Sequence, residues 1–204
     1  EPDADVGTLL ARASVMAGLP VVPAWTVEEV AEQNWVRLTQ SQFDPIRVSE
    51  RLWIVPSWHA APDPAAVNLV LDPGMAFGTG SHPTTRLCLE WLERNVHAGC
   101  SLLDYGCGSG ILAIAAARLG ASSVVGVDID PLAVEAARAN AQRNGVTATF
   151  HDSAQPVAGA YDLVVANILS NPLRVLAPAI CARLRRGGRL ALSGILREQA
   201  DEIM

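Results

Sequence analysis

From about residue 83 onward the chain alternates between short unbroken apolar runs and longer segments whose apolar positions recur every three or four residues. Unbroken runs read as strands buried on both faces, and the longer period reads as amphipathic helix. The pattern predicts a helix over 83–95 ("PTTRLCLEWLERN"), a strand in "CSLLDYG", a helix in "GILAIAAARLG" and a strand in "SSVVGVDID". A helix follows over 131–145, with Pro131 in its first turn, then strands in "VTATFHD" and "YDLVVAN". The next segment, 171–188 ("NPLRVLAPAICARLRRGG"), reads as a helix with Pro178 marking a kink or break. A strand in "RLALSG" and the start of a further helix at residue 195 close the pattern. Strand and helix in regular alternation predict a doubly wound α/β domain with a mostly parallel, Rossmann-like sheet.

The first part of the chain is less regular. Residues 5–18 read as a helix, and Thr26 with Glu29 three residues on forms a capping-box pattern that opens a second helix. "RLWIVPSW" and "AVNLVLD" are strand-like, separated by the proline-rich break "HAAPDP". The domain boundary is expected near residue 50, with a partial N-terminal α+β domain and linker helix over 1–50 and the α/β domain over 51–204.

With 204 residues, 50% of them hydrophobic and 18% charged, the chain can bury a substantial core. Its net charge of −6 argues against a general nucleic-acid binder. No apolar run approaches the roughly 20 residues needed to span a bilayer, so the expectation is a cytoplasmic protein. Cys88, Cys100, Cys107 and Cys181 lack C-x-x-C spacing, and the four histidines are scattered, so no metal is expected.

Two loops are rich in small residues: "VLDPGMAFGTGSHPTT" (70–85) and "LLDYGCGSG" (102–110). The second lies between a predicted strand and helix. There Gly106, Gly108 and Gly110 let the backbone approach a ligand beside free helix N–H groups. Asp128 ends the next strand 20 residues after Gly108, where an acid accepts ribose hydroxyls. Asp104 sits just ahead of the glycines, where a carboxylate repels a pyrophosphate and suits a ligand carrying a sulfonium and an ammonium; bracing of the loop is its other reading. Asn167 ends the "YDLVVAN" strand at the same sheet edge, and Asp152 is a weaker candidate for an adenine amine. These features point to S-adenosyl-L-methionine as the cofactor.

"DYGCGSG", "GVDID" and "VVANIL" resemble the motifs of class I S-adenosylmethionine-dependent methyltransferases. The run "RLWIVPSW…NLVLDPGMAFGTGSHPTTRLCLEWLE" is similar to the bacterial ribosomal protein L11 methyltransferase family, and the likeness extends from about Trp35 to Ile203. The resemblance implies that Thr85, Gly106, Asp128 and Asn167 contact the methyl donor, and that methyl groups pass to lysine and N-terminal amines of ribosomal protein L11. "MAFGTGSHPTT" is then expected to fold over the methionine end of the donor, with Phe77 excluding water and Thr85 hydrogen-bonding the donor. Asn167 is the catalytic candidate. His82 is a candidate base by proximity, with a structural role favoured. In "NILSNPL", Leu169 and Ser170 stand where related enzymes place residues that stack on planar substrates, which favours a flexible amine. A methyltransferase of another protein or small amine, and a donor-binding protein without activity, stay open as alternatives. Measured against the family, the sheet is expected to lack its last strands and the N-terminal recognition domain to be partial.

Overall fold

The structure, a computed structural model, describes residues 5–26, 43–72, 80, 82–155 and 157–203. The chain divides into two compact units, Glu1–Leu38 and Thr39–Met204. The described part of the first unit carries helix α1 (Val6–Met16), whose N-cap Asp5 accepts the Thr8 N–H. The helix expected after Thr26 falls outside the described residues.

The second unit begins with a three-stranded sheet of β1 (Ile46–Arg47), β2 (Leu52–Val55) and β3 (Val67–Val70). β1 runs antiparallel to β2, and β3 runs parallel to it. Residues 46–47, set ahead of the expected boundary at 50, therefore pair with the unit that follows. "RLWIVPSW" and "AVNLVLD" form this small sheet and do not join the main one.

The main unit then alternates as the periodicity predicts: α2 (Pro83–Asn95), β4 (Ser101–Tyr105), α3 (Ile111–Leu119), β5 (Ser123–Asp128), α4 (Pro131–Arg143), β6 (Thr149–Asp152), β7 (Tyr161–Asn167), α5 (Ser170–Cys181) and β8 (Leu184–Ser193). A short 3-10 turn (Arg197–Gln199) leads into α6 (Ala200–Ile203). All five main strands are parallel, in the order β6–β5–β4–β7–β8. Successive residues of a strand face opposite sides, and both sides are filled. Leu102, Leu163 and Val165 pack with Leu89, Leu92, Ile114 and Phe150 on one side. Leu103, Val164 and Ala166 pack with Leu173 and Ile180 on the other.

One element departs from the periodic reading. Helix α5 runs through Pro178 without breaking there, and it stops at Cys181 instead of continuing to residue 188. The Tyr161 N–H donates to the Arg183 carbonyl at 2.7 Å, which draws the chain onto β7. Strand pairing then begins at Leu184 and shifts register, so that Arg185 to Gly188 lie opposite Asp162 alone. Arg185 reaches Asp162 at 2.8 Å, and the backbone and hydroxyl of Ser101 donate to the same carboxylate. These hydrogen bonds, the Ser101 backbone first, hold the Asp162 carboxyl down at about 2. The arginine run that looks like a helix terminus is a bulged strand entrance.

The small sheet is fastened to the main unit by Asn144, the C-cap of α4, which is buried. Its Oδ1 accepts the Val70 N–H at 2.8 Å, and its Nδ2 donates to the Val70 carbonyl at 2.8 Å, as a neighbouring strand would. Asn144→Ala leaves both Val70 groups without that partner, at roughly 1–3 kcal/mol for each group so stranded. The variant is expected to lose more than about 2 kcal/mol in urea unfolding. A loss under about 0.5 kcal/mol, the usual range for an ordinary surface change, would show that the staple contributes nothing.

Candidate functional site

Strand order reverses between β4 and β7. The chain leaves β4 towards β5 on one side, and β7 and β8 lie on the other. In open parallel sheets a crevice forms at such a reversal, outside the carboxyl ends of the strands. A cavity of about 600 Å³ lies there. Gly106 and Gly108 after β4, Asp128 at the end of β5, Asn167 at the end of β7 and Gly194 after β8 all line it. A smaller pocket of about 320 Å³ shares Gly106, Asp128, Ile168 and Pro172 with it, and adds Val127, Ile129 and Leu176.

The glycine loop is held by backbone hydrogen bonds. Gly106 and Cys107 both donate to the Val127 carbonyl, at 2.8 and 2.9 Å. Gly108 donates to Asp128 Oδ2 at 2.8 Å, while Asp128 Oδ1 accepts the Asp130 N–H at 3.0 Å. Asp130 then caps α4 through the Leu132 N–H, with Pro131 at the first helical position. A Cβ on Gly106 would stand 2.3 Å from the Ile168 side chain, and φ there is +80°. Gly110 serves packing instead. It caps α3 at φ +78°, and its missing Cβ leaves room for Ala137 and Phe150.

Thr85 and Asp104 lie behind the cavity wall. Thr85 is 1% exposed, and its hydroxyl accepts the Asn167 side-chain N–H at 3.5 Å; its neighbour Thr84 is the residue that lines the cavity. Asp104 is 0% exposed and its Oδ2 accepts the Ala113 N–H in the first turn of α3 at 3.1 Å. Its Oδ1 is buried with no hydrogen-bond partner. Burial, opposed by the Ala113 hydrogen bond and reinforced by the nearby Asp128 charge, pushes the Asp104 carboxyl up to about 7. The same desolvation pushes the Cys88 thiol up to about 11 and the Cys107 thiol higher still. His82 accepts the Thr84 N–H at Nδ1 and caps α2. Phe77 falls outside the described residues.

The sequence pattern therefore finds Gly106, Gly108, Asp128 and Asn167, which converge on one cavity. It misses the rest of the lining: Ile168, Pro172 and the segment Gly194–Ile195–Leu196. A glycine directly after the last strand, at the same edge of a parallel sheet, is the signal that marks this segment. Among the described residues no group of three or more His, Cys, Asp or Glu could hold a metal ion, and no helix is long and apolar enough to cross a membrane.

Comparison with known proteins adds a family. The family described as ribosomal protein L11 methyltransferase (PrmA) matches residues 3–204. The ribosomal protein L11 methyltransferase of Dechloromonas aromatica is 81% identical over 204 residues, which are 100% of this chain and 69% of that protein. Its counterpart from Ralstonia pickettii is 63% identical over 98% of this chain and 67% of its own length. Among solved structures, the ribosomal protein L11 methylase of Lactobacillus delbrueckii subsp. bulgaricus superposes with a TM-score of 0.71 at 38% identity, over 79% of this chain and 85% of that one. A T. thermophilus 16S rRNA methyltransferase (RsmC), solved with AdoMet and guanosine, gives a TM-score of 0.51 at 30% identity, over 57% of this chain and 36% of that one.

Asp104 gives the site a pH signature. Its carboxyl binds a proton more tightly in the folded chain than in the unfolded one, so its contribution to stability is complete at low pH. That contribution is lost as pH rises from the unfolded value of about 4 through the folded value of about 7. Asp104→Asn removes the titration and keeps an oxygen for the Ala113 N–H. The unfolding free energy of the variant relative to the parent is expected to rise by on the order of a few kcal/mol between about pH 5 and about pH 8. Urea unfolding at both pH values measures it, and a difference that stays flat across that range refutes the assignment.

Proposed function

The chain belongs to the ribosomal protein L11 methyltransferase family, and from that premise we propose that its second unit transfers methyl groups from S-adenosylmethionine to lysine and N-terminal amines of ribosomal protein L11. The enzyme is S-adenosylmethionine-dependent. The observation that carries the reading is the convergence of Gly106, Gly108, Asp128 and Asn167 on one cavity at the strand-order reversal.

The residues fit the donor. Each Asp128 oxygen already accepts one backbone N–H, and a carboxylate oxygen has a second lone pair to offer. Asp128 can therefore take both ribose hydroxyls without giving up the contacts that shape the loop. The apolar side chains Val127, Ile129 and Leu176 of the adjoining pocket suit a flat base. Asp104, buried behind the cavity wall with Oδ1 unpartnered, sets an acceptor and not a cation beneath the glycine loop, which suits a donor carrying positive charge. A buried carboxylate behind this loop also disfavours a pyrophosphate, which separates this donor from a dinucleotide.

When bound, S-adenosylmethionine would supply a methyl group on a sulfonium, which an amine nitrogen would take by a new C–N bond while the S–CH3 electron pair stayed on sulfur. The chain's own work is orientation. The Asn167 Nδ2 donates to Thr85, which leaves Oδ1 to accept an N–H of the incoming amine and aim its lone pair. Thr85 acts through Asn167 and is a positioning residue. An amide is a good partner here because it accepts a hydrogen bond and is itself a poor target for alkylation. Holding the two reactants in register can supply much of the rate enhancement.

Calorimetric titration with S-adenosylhomocysteine and with NAD tests the donor assignment: S-adenosylhomocysteine is expected to bind and NAD to bind far more weakly. Asp128→Ala is expected to lose charge-assisted hydrogen bonds of roughly 1.5–3 kcal/mol each, about tenfold or more in affinity. Equal binding of NAD, or unchanged affinity in a folded Asp128→Ala protein, contradicts the assignment. Mass spectrometry of L11 incubated with the protein and S-adenosylmethionine reads the transfer itself, and unmodified L11 refutes it.

A further inference from the structure

Leu169 is 74% exposed and Leu196 is 61% exposed, yet both line the cavity. They come from two segments that the structure locks together. Leu169 follows Asn167 and Ile168 off β7 and occupies the N-cap position of α5 without a side-chain capping hydrogen bond. Leu196 follows the turn at Gly194, where φ is +83°. A Cβ on Gly194 would stand 2.4 Å from the Ile168 carbonyl oxygen, so only glycine lets the two segments approach this closely. On the far side, Gly106 gives the Ile168 side chain its place in the same way. Leu196 is held in turn by Gln199, whose side chain accepts the Leu196 N–H at 2.9 Å and whose own N–H donates to the Leu196 carbonyl at 3.0 Å. The backbones that carry these two large exposed apolar side chains are thus held beside the cavity, with Pro172 and Ile195 next to them.

Arg197 and Glu198, one charge of each sign, follow Leu196 directly in the chain. Among the described lining residues there is no lysine or arginine, and the titratable groups are Asp128 and His82. Asp128 holds the loop backbone and favours a cation. His82 Nδ1 caps α2. Behind the wall, Asp104, Cys88 and Cys107 are buried. No described side chain is arranged as a dedicated base. A lysine, with its long methylene stem and an amine pKa near ~10.4, must nevertheless arrive neutral to act as a nucleophile.

Resting on the proposed function, we propose that Leu169 and Leu196 form an aliphatic lip that takes the methylene stem of a substrate lysine and disfavours its ammonium, so that the proton passes to bulk water at the mouth and the amine reaches Asn167 in its neutral form. Desolvation disfavours the charged state of an amine, and a lysine stem packs against apolar surface while its head stays polar. The net charge of −6 suits the approach of a cationic side chain. The lip distinguishes the two kinds of amine on one substrate. An N-terminal amine has a pKa of about 7.7–8.0 and no stem, so it needs the lip far less.

The test uses Leu169→Asn and Leu196→Asn, with Leu→Met at each position as the conservative control. S-adenosylhomocysteine affinity is measured by calorimetry, and site-resolved mass spectrometry follows lysine and N-terminal methylation of L11 across pH. Donor affinity is expected to stay within about twofold of the parent, while lysine methylation at neutral pH falls about tenfold or more. N-terminal methylation falls much less, the lysine rate recovers as pH approaches about 10, and Met restores it. Equal losses at both amines, a pH-independent loss, or donor affinity falling in step with turnover each overturns the lip. A parent protein that binds no S-adenosylhomocysteine, or leaves both amines unmodified, instead removes the functional reading beneath it.

Discussion

Ile168 sits between two glycines that have no Cβ where another residue's would lie 2.3 and 2.4 Å from its atoms. Gly106 opens the glycine loop after β4, and Gly194 follows β8. Through Ile168 these two contacts let the chain leaving three neighbouring strand ends, β4, β7 and β8, approach closely at the carboxyl edge. The cavity lining depends on that approach. The loop can present Gly106 and Gly108 to the cavity, Asn167 can reach it from β7, and the two leucines can flank its mouth. Substituting either glycine forces Ile168 to move, and the cavity lining moves with it.

The edge is also where polar groups can be accommodated. Both faces of the sheet are covered by helices and packed with Leu, Ile, Val and Phe. A carboxylate inside that packing is costly, and Asp104 meets the cost in part by accepting the Ala113 N–H at the start of α3. Asp128, one strand over, remains partly exposed and ties the loop to the start of α4 through two backbone hydrogen bonds. Two carboxylates with opposed environments thus divide the work: one anchors a helix beneath the loop, and the other faces the cavity. The flanking thiols Cys88 and Cys107 are pushed up by burial and stay neutral.

An amide near a neutral amine, with no dedicated base among the described residues, is coherent with methyl transfer to nitrogen. The reaction asks the protein to remove water and to align atoms more than to move a proton in the transition state. In the proposed function, apolar surface at the mouth and an acceptor at the strand end serve those two demands.

Local pattern determined much of this in advance. The unbroken runs in β4, β5 and β7, the helix Pro83–Asn95, and the pairing of a glycine loop with Asp128 at the next strand end are written in neighbouring residues. Periodicity and spacing report such features because each depends on a single element and its cap. Tertiary structure decided the rest. Asp162, distant in sequence from Ser101 and Arg185, turned an apparent helix terminus into the bulged start of β8. Thr85 lies behind the wall with its hydroxyl against Asn167, and Gly110 lies against Ala137 and Phe150, because burial depends on what neighbouring elements contribute. The segment Gly194–Leu196 joined the site only because strand order sets β8 beside β7. Strand order is a property of non-local pairing, and no window of sequence contains it.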